Sequence, residues 1–377
     1  MSYSCAPIEI MRQSQIQFYV DEPLEVDILG PIAVEFGRRG FSTASTNDFE
    51  TKSEVGIFAC HPNRFFDFSS GNWNRPPADF SIICAHDFNQ ATEAGPAYFI
   101  QDGWHLFDIG LVPGPAMYAE GARALHLGYQ LPRLGLHQVG WVPSDRAFTD
   151  GIINSGENTT IRKSLVGSDT RKIVLLACSW SSPRHLLDTL SYLDVEKYVI
   201  LARYPKFRAT IPDSPWAPRL ARARVEVQQA RELAEKSQNV VLAADDTNLF
   251  DLLAISDVVL SNGSTVLKEG LLLGVPGVSI GSWQHPSGPN GAESVTPVVA
   301  WPGIVEGPVE SLSTMMDIAD SDNFSEFVSR GKAQLVPDES LGHAAHLAAE
   351  VIQPFLSRSR VGVGVSLRRL RARSRAR

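Results

Sequence analysis

The segment 262–276 reads NGSTVLKEGLLLGVP and holds a grouping of residue types suited to chemistry. Asn262 and Gly263 are small, Ser264 and Thr265 bring two hydroxyls, and Glu269 is the one acid in the apolar stretch that follows. The apolar run SDVVLS at 256–261 reads as a strand and VLKEGLLL at 266–273 as a helix, which Gly274 and Pro276 stop. A loop of small residues between strand and helix lets a ligand approach the backbone. The first helical turn offers unpaired N–H groups and a partial positive charge, which suit phosphate. The hydroxyls of Ser264 and Thr265 add donors. Glu269 follows about one turn on, where its carboxylate can accept hydrogen bonds from two vicinal hydroxyls, such as those of a ribose. The same residues also have a plainer reading, with Ser264 as a helix N-cap and Glu269 as a solvent-facing helix residue.

The chain that must position these groups has 377 residues, enough for two domains of ordinary size. Hydrophobic residues make up 44% and charged residues 20%, so large cores can be buried. No apolar run approaches the ~20 residues that span a bilayer, and the start, MSYSCAPIEIMRQSQ, does not read as a signal peptide. Cys5, Cys60, Cys84 and Cys178 are scattered, and three of them lie in apolar runs. They read as buried thiols of a cytoplasmic protein, not as a disulfide frame or a metal site. The net charge is −8, yet 357–377 carries eight arginines and no acid, which leaves −16 on the rest. An acidic body argues against nucleic acid as a partner. The arginine-rich tail reads as a solvated, disordered end, or as a contact with an anionic membrane at its inner face.

Short apolar runs at 16–20, 55–59, 80–85, 97–101, 172–177, 197–202, 239–244 and 256–261 predict buried strands. Helical patterns at 24–40, 184–193 and 220–237 lie between them. Near-continuously apolar strands alternating with helices predict parallel sheets covered on both faces. The alternation pauses at 146–170, which is polar and glycine-containing. The expected fold is therefore α/β, with two doubly wound Rossmann-like domains facing a cleft: an N-terminal domain at 1–155 and a C-terminal domain at 165–355. In such sheets ligands bind beyond the carboxyl ends of strands, where the strand order reverses.

The run DLLAISDVVLSNGSTVLKEGLLLGVPGVSI resembles the nucleotide-binding segment of GT-B-fold sugar-nucleotide enzymes. Their helix motif E-x4-G-x-P is matched in spacing by Glu269, Gly274 and Pro276, and it implies that Glu269 holds ribose hydroxyls. A narrower resemblance is to the CDP-glycerol glycerophosphotransferases that build teichoic-acid-like and capsular polymers. In their D-[YF]-S-S-x-x-x-D frame, Asn262 stands for the first Asp and Glu269 for the second. Gly140, Pro143 and Asp145 in VGWVPSDRAF fit the family's G-x-P-x-x-D turn, and KIVLLACSWSSPR resembles its first C-terminal strand and following loop, with Trp180 kept. The resemblance covers roughly 95–350, and the order of the motifs is stronger than any one of them.

Two departures touch the chemistry. Where the family has a histidine thought to act as base, FIQDGWH places Asp102 beside Gly103, with His105 three residues on. A carboxylate can take that role, so Asp102 and His105 are the candidate catalytic residues. Where the family has a second histidine, Ala202-Arg203-Tyr204-Pro205 places Tyr204, and Arg203 becomes the candidate phosphate clamp. Plainer roles are open for each, a capped turn for Asp102 and a surface ion pair for Arg203. His285, in the Gly/Pro-rich loop GSWQHPSGPNG, can reach a nucleotide, and Trp73, Trp104, Trp141 and Trp180 either line the cleft or fill cores. The chain has no GxxxxGK[ST], HExxH or CxxC pattern, and neither a metal nor a cofactor is expected. The resemblance implies a transferase with a nucleotide-diphosphate donor and a polyol-phosphate or glycan acceptor. The alternatives are a UDP-sugar 2-epimerase-like enzyme and a catalytically silent nucleotide-binding protein of the same fold.

Overall fold

The computed structural model describes residues 15–21, 23–59, 62–67, 69–87, 96, 98–99, 103–149, 157–178, 183–204, 217–244, 247–283 and 298–358. In chain order the strands are β1 (Ile16–Tyr19), β2 (Thr43–Thr46), β3 (Ser53–Phe58), β4 (Phe66–Asp67), β5 (Asn72–Trp73), β6 (Ala78–Cys84), β7 (Ile109–Val112) and β8 (Leu136–Gln138). They continue with β9 (Lys172–Leu176), β10 (Tyr198–Ala202), β11 (Val240–Leu242), β12 (Val258–Ser261), β13 (Gly277–Ile280), β14 (Val298–Trp301) and β15 (Ile304–Gly307). Among the described residues, strands β4 and β5 pair only with each other.

The first sheet has the order β2-β1-β3-β6-β7-β8 and is parallel throughout. The second has the order β11-β10-β9-β12-β13-β15-β14, parallel except for the edge strand β14. Two doubly wound α/β domains facing a cleft are thus what the chain folds into, as the alternation of apolar runs and helical patterns predicts. In the second sheet the chain winds outward from β9 through β10 to β11, then restarts at β12 on the other side. That reversal opens the crevice between the ends of β9 and β12, which Ser261 Oγ spans by donating to the Ala177 carbonyl at 2.7 Å.

The strands are apolar on both faces because both faces are covered. In β1, Ile16 and Phe18 join one core while Tyr19 joins another on the opposite face; Ile82 and Cys84 are divided from Ile83 in the same way along β6. The larger core runs through Ile28 and Ile32 of the helix Pro23–Arg38, then Trp141 and Val142, into the second sheet. Cys84 and Cys178 are buried free thiols, while Cys5 and Cys60 lie outside the described residues.

The structure departs from the sequence expectation at two places. Of the run 97–101, read as a strand, Tyr98 and Phe99 are helical and packed against Trp104; β7 further on takes the place in the sheet. Aromatic bulk drives both helix and strand burial, so a five-residue apolar run does not distinguish them. The polar stretch 146–170 holds most of the helix Asp145–Thr149 and all of the helix Glu157–Val166.

The helix Ala344–Arg358, which lies in the C-terminal half by sequence, packs back on the helix Pro23–Arg38. Phe355 stacks on Phe80 at 5.9 Å, and Arg39 donates to Gln353 Oε1 at 2.8 Å. The start of this helix is fixed by Asp145, whose carboxylate accepts from the backbone N–H groups of Ala344 (2.9 Å) and Ala345 (2.8 Å). Those are donors that no helical carbonyl can serve, and a negative charge there is favoured by the helix dipole. Burial pushes the Asp145 carboxyl up to about 6 against these bonds. Replacing Asp145 with alanine strands two buried N–H groups. It is expected to lower unfolding free energy by about 2–4 kcal/mol in chemical denaturation. A loss under about 0.5 kcal/mol in that assay would show that the bonds do not hold the helix.

Candidate functional site

A cavity of about 1230 Å³ lies between the two domains, lined by Asp27, Asp87 and Trp141 from one side and Arg203, Thr265 and Glu269 from the other. The loop after β12 and the helix it opens bring Thr265 and Glu269 there, while Arg203 comes from the end of β10. Gly263 takes φ +78°, in the left-handed region where a side chain is strained, and so turns the chain sharply out of the strand. Asn262 is buried at that turn, and Ser264 lines the cavity. The helix Val266–Leu272 then runs back with every residue buried, and Gly274 (φ +82°) closes it.

Glu269 is therefore not a solvent-facing helix residue: it is 5% exposed. Its Oε1 accepts from Trp141 Nε1 at 2.9 Å, a bond from the N-terminal side of the cleft to the helix Val266–Leu272 of the C-terminal domain. Burial pushes the Glu269 carboxyl up to about 7. The Trp141 bond and Arg203 act against that shift, and Asp87 and Asp27 add to it. Arg203 follows β10 at the cavity wall. Burial lowers the affinity of its guanidinium for the proton, while Glu269 and Asp27 raise it. Thr265 occupies the N-cap position of its helix but makes no side-chain cap bond. Its Oγ1 donates instead to Asp87 Oδ1 at 2.6 Å.

The structure therefore brings Arg203, Ser264, Thr265 and Glu269 to one cavity, with Asn262 and Gly263 forming the turn beneath. His105 is set elsewhere, in the short turn Trp104–Leu106, with its ring edge-on to Trp73 at 6.1 Å. Tyr204 is buried under Arg231 and does not line the cavity. Asp102, Trp180 and His285 lie outside the described residues. Asp27, Asp87 and Trp141 are the site residues whose placement sequence reasoning leaves open. Asp87 has a signal in retrospect, as a polar residue just past the carboxyl end of a predicted strand. Among the described residues, no group of three or more His, Cys, Asp or Glu side chains is placed to hold a metal ion. No described helix is long and apolar enough to cross a membrane.

No family model matches the chain, and no curated protein matches its sequence. Solved structures do match its fold. The wall teichoic acid polymerase TagF, in a variant soaked with CDPG, is 12% identical with a TM-score of 0.58, covering 92% of this chain and 90% of that one. A second TagF structure reaches a TM-score of 0.60 at 11% identity, over 93% and 90% of the two chains. UDP-GlcNAc 2-epimerase from Neisseria meningitidis, bound to UDP-GlcNAc, is 10% identical with a TM-score of 0.50, over 90% and 100%. At such identities the likeness is one of fold, and that fold is the two-domain GT-B arrangement.

The buried carboxyl makes stability depend on pH. A folded-state value near 7, against about 4.5 for an ordinary glutamate, means that the folded chain keeps the Glu269 proton where the unfolded chain has released it. Its contribution is complete below about pH 4.5 and is lost as the pH rises through 7. Glu269→Gln keeps an acceptor for Trp141 and has nothing to ionise. Its stability relative to the parent should rise by about 2–3 kcal/mol between pH 4.5 and 8. Urea melts across that range decide it, and a pH-independent difference would refute the shift.

Proposed function

We propose that the cleft binds a nucleotide-activated donor, and that the protein is a transferase. It would move a glycerophosphate or glycosyl unit from CDP-glycerol or a sugar nucleotide to a polyol-phosphate or glycan acceptor of a cell-surface polymer. The observation that carries this reading is the convergence of Ser264, Thr265, Glu269 and Arg203 on one cavity at the strand-order reversal. The donor's diphosphate would meet the hydroxyls of Ser264 and Thr265 and the guanidinium of Arg203. Its ribose would meet Glu269, with Trp141 orienting that carboxyl. The fold shared with TagF supports the polymer-forming version. Asp102 is proposed on sequence grounds as a base, and His285 as a contact to the donor. The arginine-rich tail at 357–377 is proposed to reach an anionic membrane.

A second reading is a UDP-sugar 2-epimerase-like enzyme. It is favoured by one observation: Asp27, Asp87, Glu269 and His343 line the same cavity, and that chemistry draws on several acids and a histidine. The two readings separate by product analysis, since an epimerase converts a UDP-sugar with no acceptor present.

Melting curves with CDP-glycerol and a panel of sugar nucleotides test the donor pocket. At 100 times Kd a bound donor adds ~2.7 kcal/mol, a shift of a few degrees. Arg203→Ala should weaken binding about tenfold or more, through loss of a charged phosphate contact. If no nucleotide moves the parent's melting temperature, the donor-pocket reading falls.

A further inference from the structure

The cavity has more room than one donor fills. At about 1230 Å³ it exceeds the roughly 300–1,000 Å³ usual for small-molecule sites. The residues given to the donor, Arg203, Ser264, Thr265 and Glu269, belong to the C-terminal domain and form its inner end. The helix Pro23–Arg38 of the N-terminal domain forms one wall of the rest, and the donor reading gives it no role.

Four residues of this helix, Asp27, Pro31, Val34 and Arg38, are exposed and line the cavity. Their spacing of four, three and four residues sets them in one stripe along the helix. Asp27 stands at the inner end, close enough to Glu269 and Arg203 to bear on the protonation of both. Arg38 stands in the last turn, at the outer end. Eleven residues separate the two, which makes ~16 Å at the helical rise. Between them Pro31 and Val34 carry no hydrogen-bonding side chain, and Val34 is 56% exposed. Apolar groups left open along a groove mark a surface that a ligand covers.

Charge differs between the two ends. Asp27, Asp87 and Glu269 stand with Arg203 at the inner one. At the outer one an arriving ligand meets guanidinium groups: the side chain of Arg38 is 75% exposed and that of Arg146 54%, against 15% for Glu35. Glu35 is held by Arg39 at 2.8 Å and by His346 at 3.0 Å, so Arg38 reaches it only at 3.9 Å. An anion that lies along the stripe is therefore repelled at Asp27 and attracted at Arg38.

We propose, on the basis of the donor reading, that this stripe is the acceptor subsite, that it selects by length, and that the acceptor is a glycan carrying a phosphate at its far end. About two or three neutral sugars span the ~16 Å from Asp27 to Arg38. The reacting hydroxyl lies at the inner end beside the donor, and the phosphate lies on Arg38. The C–H faces of the sugar rings cover Pro31 and Val34. A polymer with a phosphate on every unit would press charge onto those two apolar side chains and onto Asp27. A single glycerol phosphate is too short to reach from the donor to Arg38. Of the two acceptor classes above, the stripe thus favours the glycan.

Calorimetric titrations test this, on the protein alone and with CDP or UDP present. The probes are maltose 1-phosphate, maltotriose 1-phosphate, neutral maltotriose, glucose 1-phosphate, glycerol 3-phosphate and a glycerol phosphate trimer. Maltose-series sugars serve because Pro31 and Val34 cannot read hydroxyl stereochemistry by hydrogen bonds. The better of the two long phosphates should bind about tenfold or more tighter than maltotriose and than either short phosphate. Arg38→Ala should erase the advantage over maltotriose, and Arg38→Lys should keep part of it, while CDP and UDP bind as they do to the parent. Val34→Asp should weaken maltotriose and its phosphate alike, by about three- to tenfold. Both side chains are exposed, so neither change disturbs a core. Failure of the long phosphates to bind, equal binding of the short ones, tighter binding of the glycerol phosphate trimer, an advantage that survives Arg38→Ala, or indifference to Val34→Asp overturns the proposal. A parent that binds neither CDP nor UDP removes the donor reading instead. Binding of the long phosphates through Arg38 is measured apart from it, so the two failures are told apart.

Discussion

The hydrogen bond from Trp141 Nε1 to Glu269 Oε1 joins the two domains at the floor of the cleft, and the surrounding backbone is arranged so that it can form. A carboxyl removed from water must find a donor, and an indole offers one N–H and no acceptor, so the pairing is specific. Trp141 is aimed by Gly140, which takes φ +90° and lies so close to Ser340 that a side chain there would collide with it. Glu269 is placed by a helix pressed onto its sheet at Gly270, where a Cβ would meet Val259 at 2.8 Å. Four residues beyond Trp141, Asp145 anchors the start of the helix that crosses back to the N-terminal domain. The contact between the domains is therefore built from the same short segment, 140–145, that supplies the wall of the cavity.

The architecture was legible because burial on both faces of a parallel sheet leaves near-continuous apolar runs, and seven of the eight runs correspond to strands. The failure at 97–101 and the omission of two strands, β2 and β8, share a cause; β7 and β13 are buried and were missed for their shortness, four residues each with a glycine. β2, TAST, and β8, LHQ, are partly exposed edge strands with little apolar signature, whereas Tyr98 and Phe99 are apolar because they pack beside Trp104 in a helix. Pattern reports burial, and burial alone does not choose the element.

The C-terminal half of the site was legible for a local reason. Its loop, hydroxyls, acid and helix stop are contiguous in sequence, and one turn fixes their relation. The N-terminal half was not, because Asp27, Asp87 and Trp141 come from separate elements that only the closed pair of domains brings together. The plain reading of Glu269 as a surface acid failed on the same account: nothing within 262–276 reveals that another domain covers the helix. Asp145 shows the converse. It stands in a motif position that resembles a functional turn, and its carboxylate is occupied with two backbone N–H groups of the last helix.

Charge sets the terms on which such a cleft accepts a ligand. Glu35 is matched by Arg39, and Asp145 by backbone donors, so neither is available. Of the other charged lining groups, Arg38 pairs with Glu35 and Arg146 with Asp251, which leaves Asp27, Asp87 and Glu269 against Arg203. A diphosphate adds at least two negative charges to that group, and in a site screened from water the repulsion is far stronger than on a surface. The structure contains two ways of relieving it without importing a cation. Glu269, already raised to about 7, sheds its charge by keeping a proton that Asp87 and Asp27 help to hold. Asp87 accepts the Thr265 hydroxyl, a contact that a stronger acceptor can replace. An arginine with no acids beside it would bind an anion more tightly and release it more slowly, so the acids beside Arg203 temper its hold on whatever anion the cleft takes.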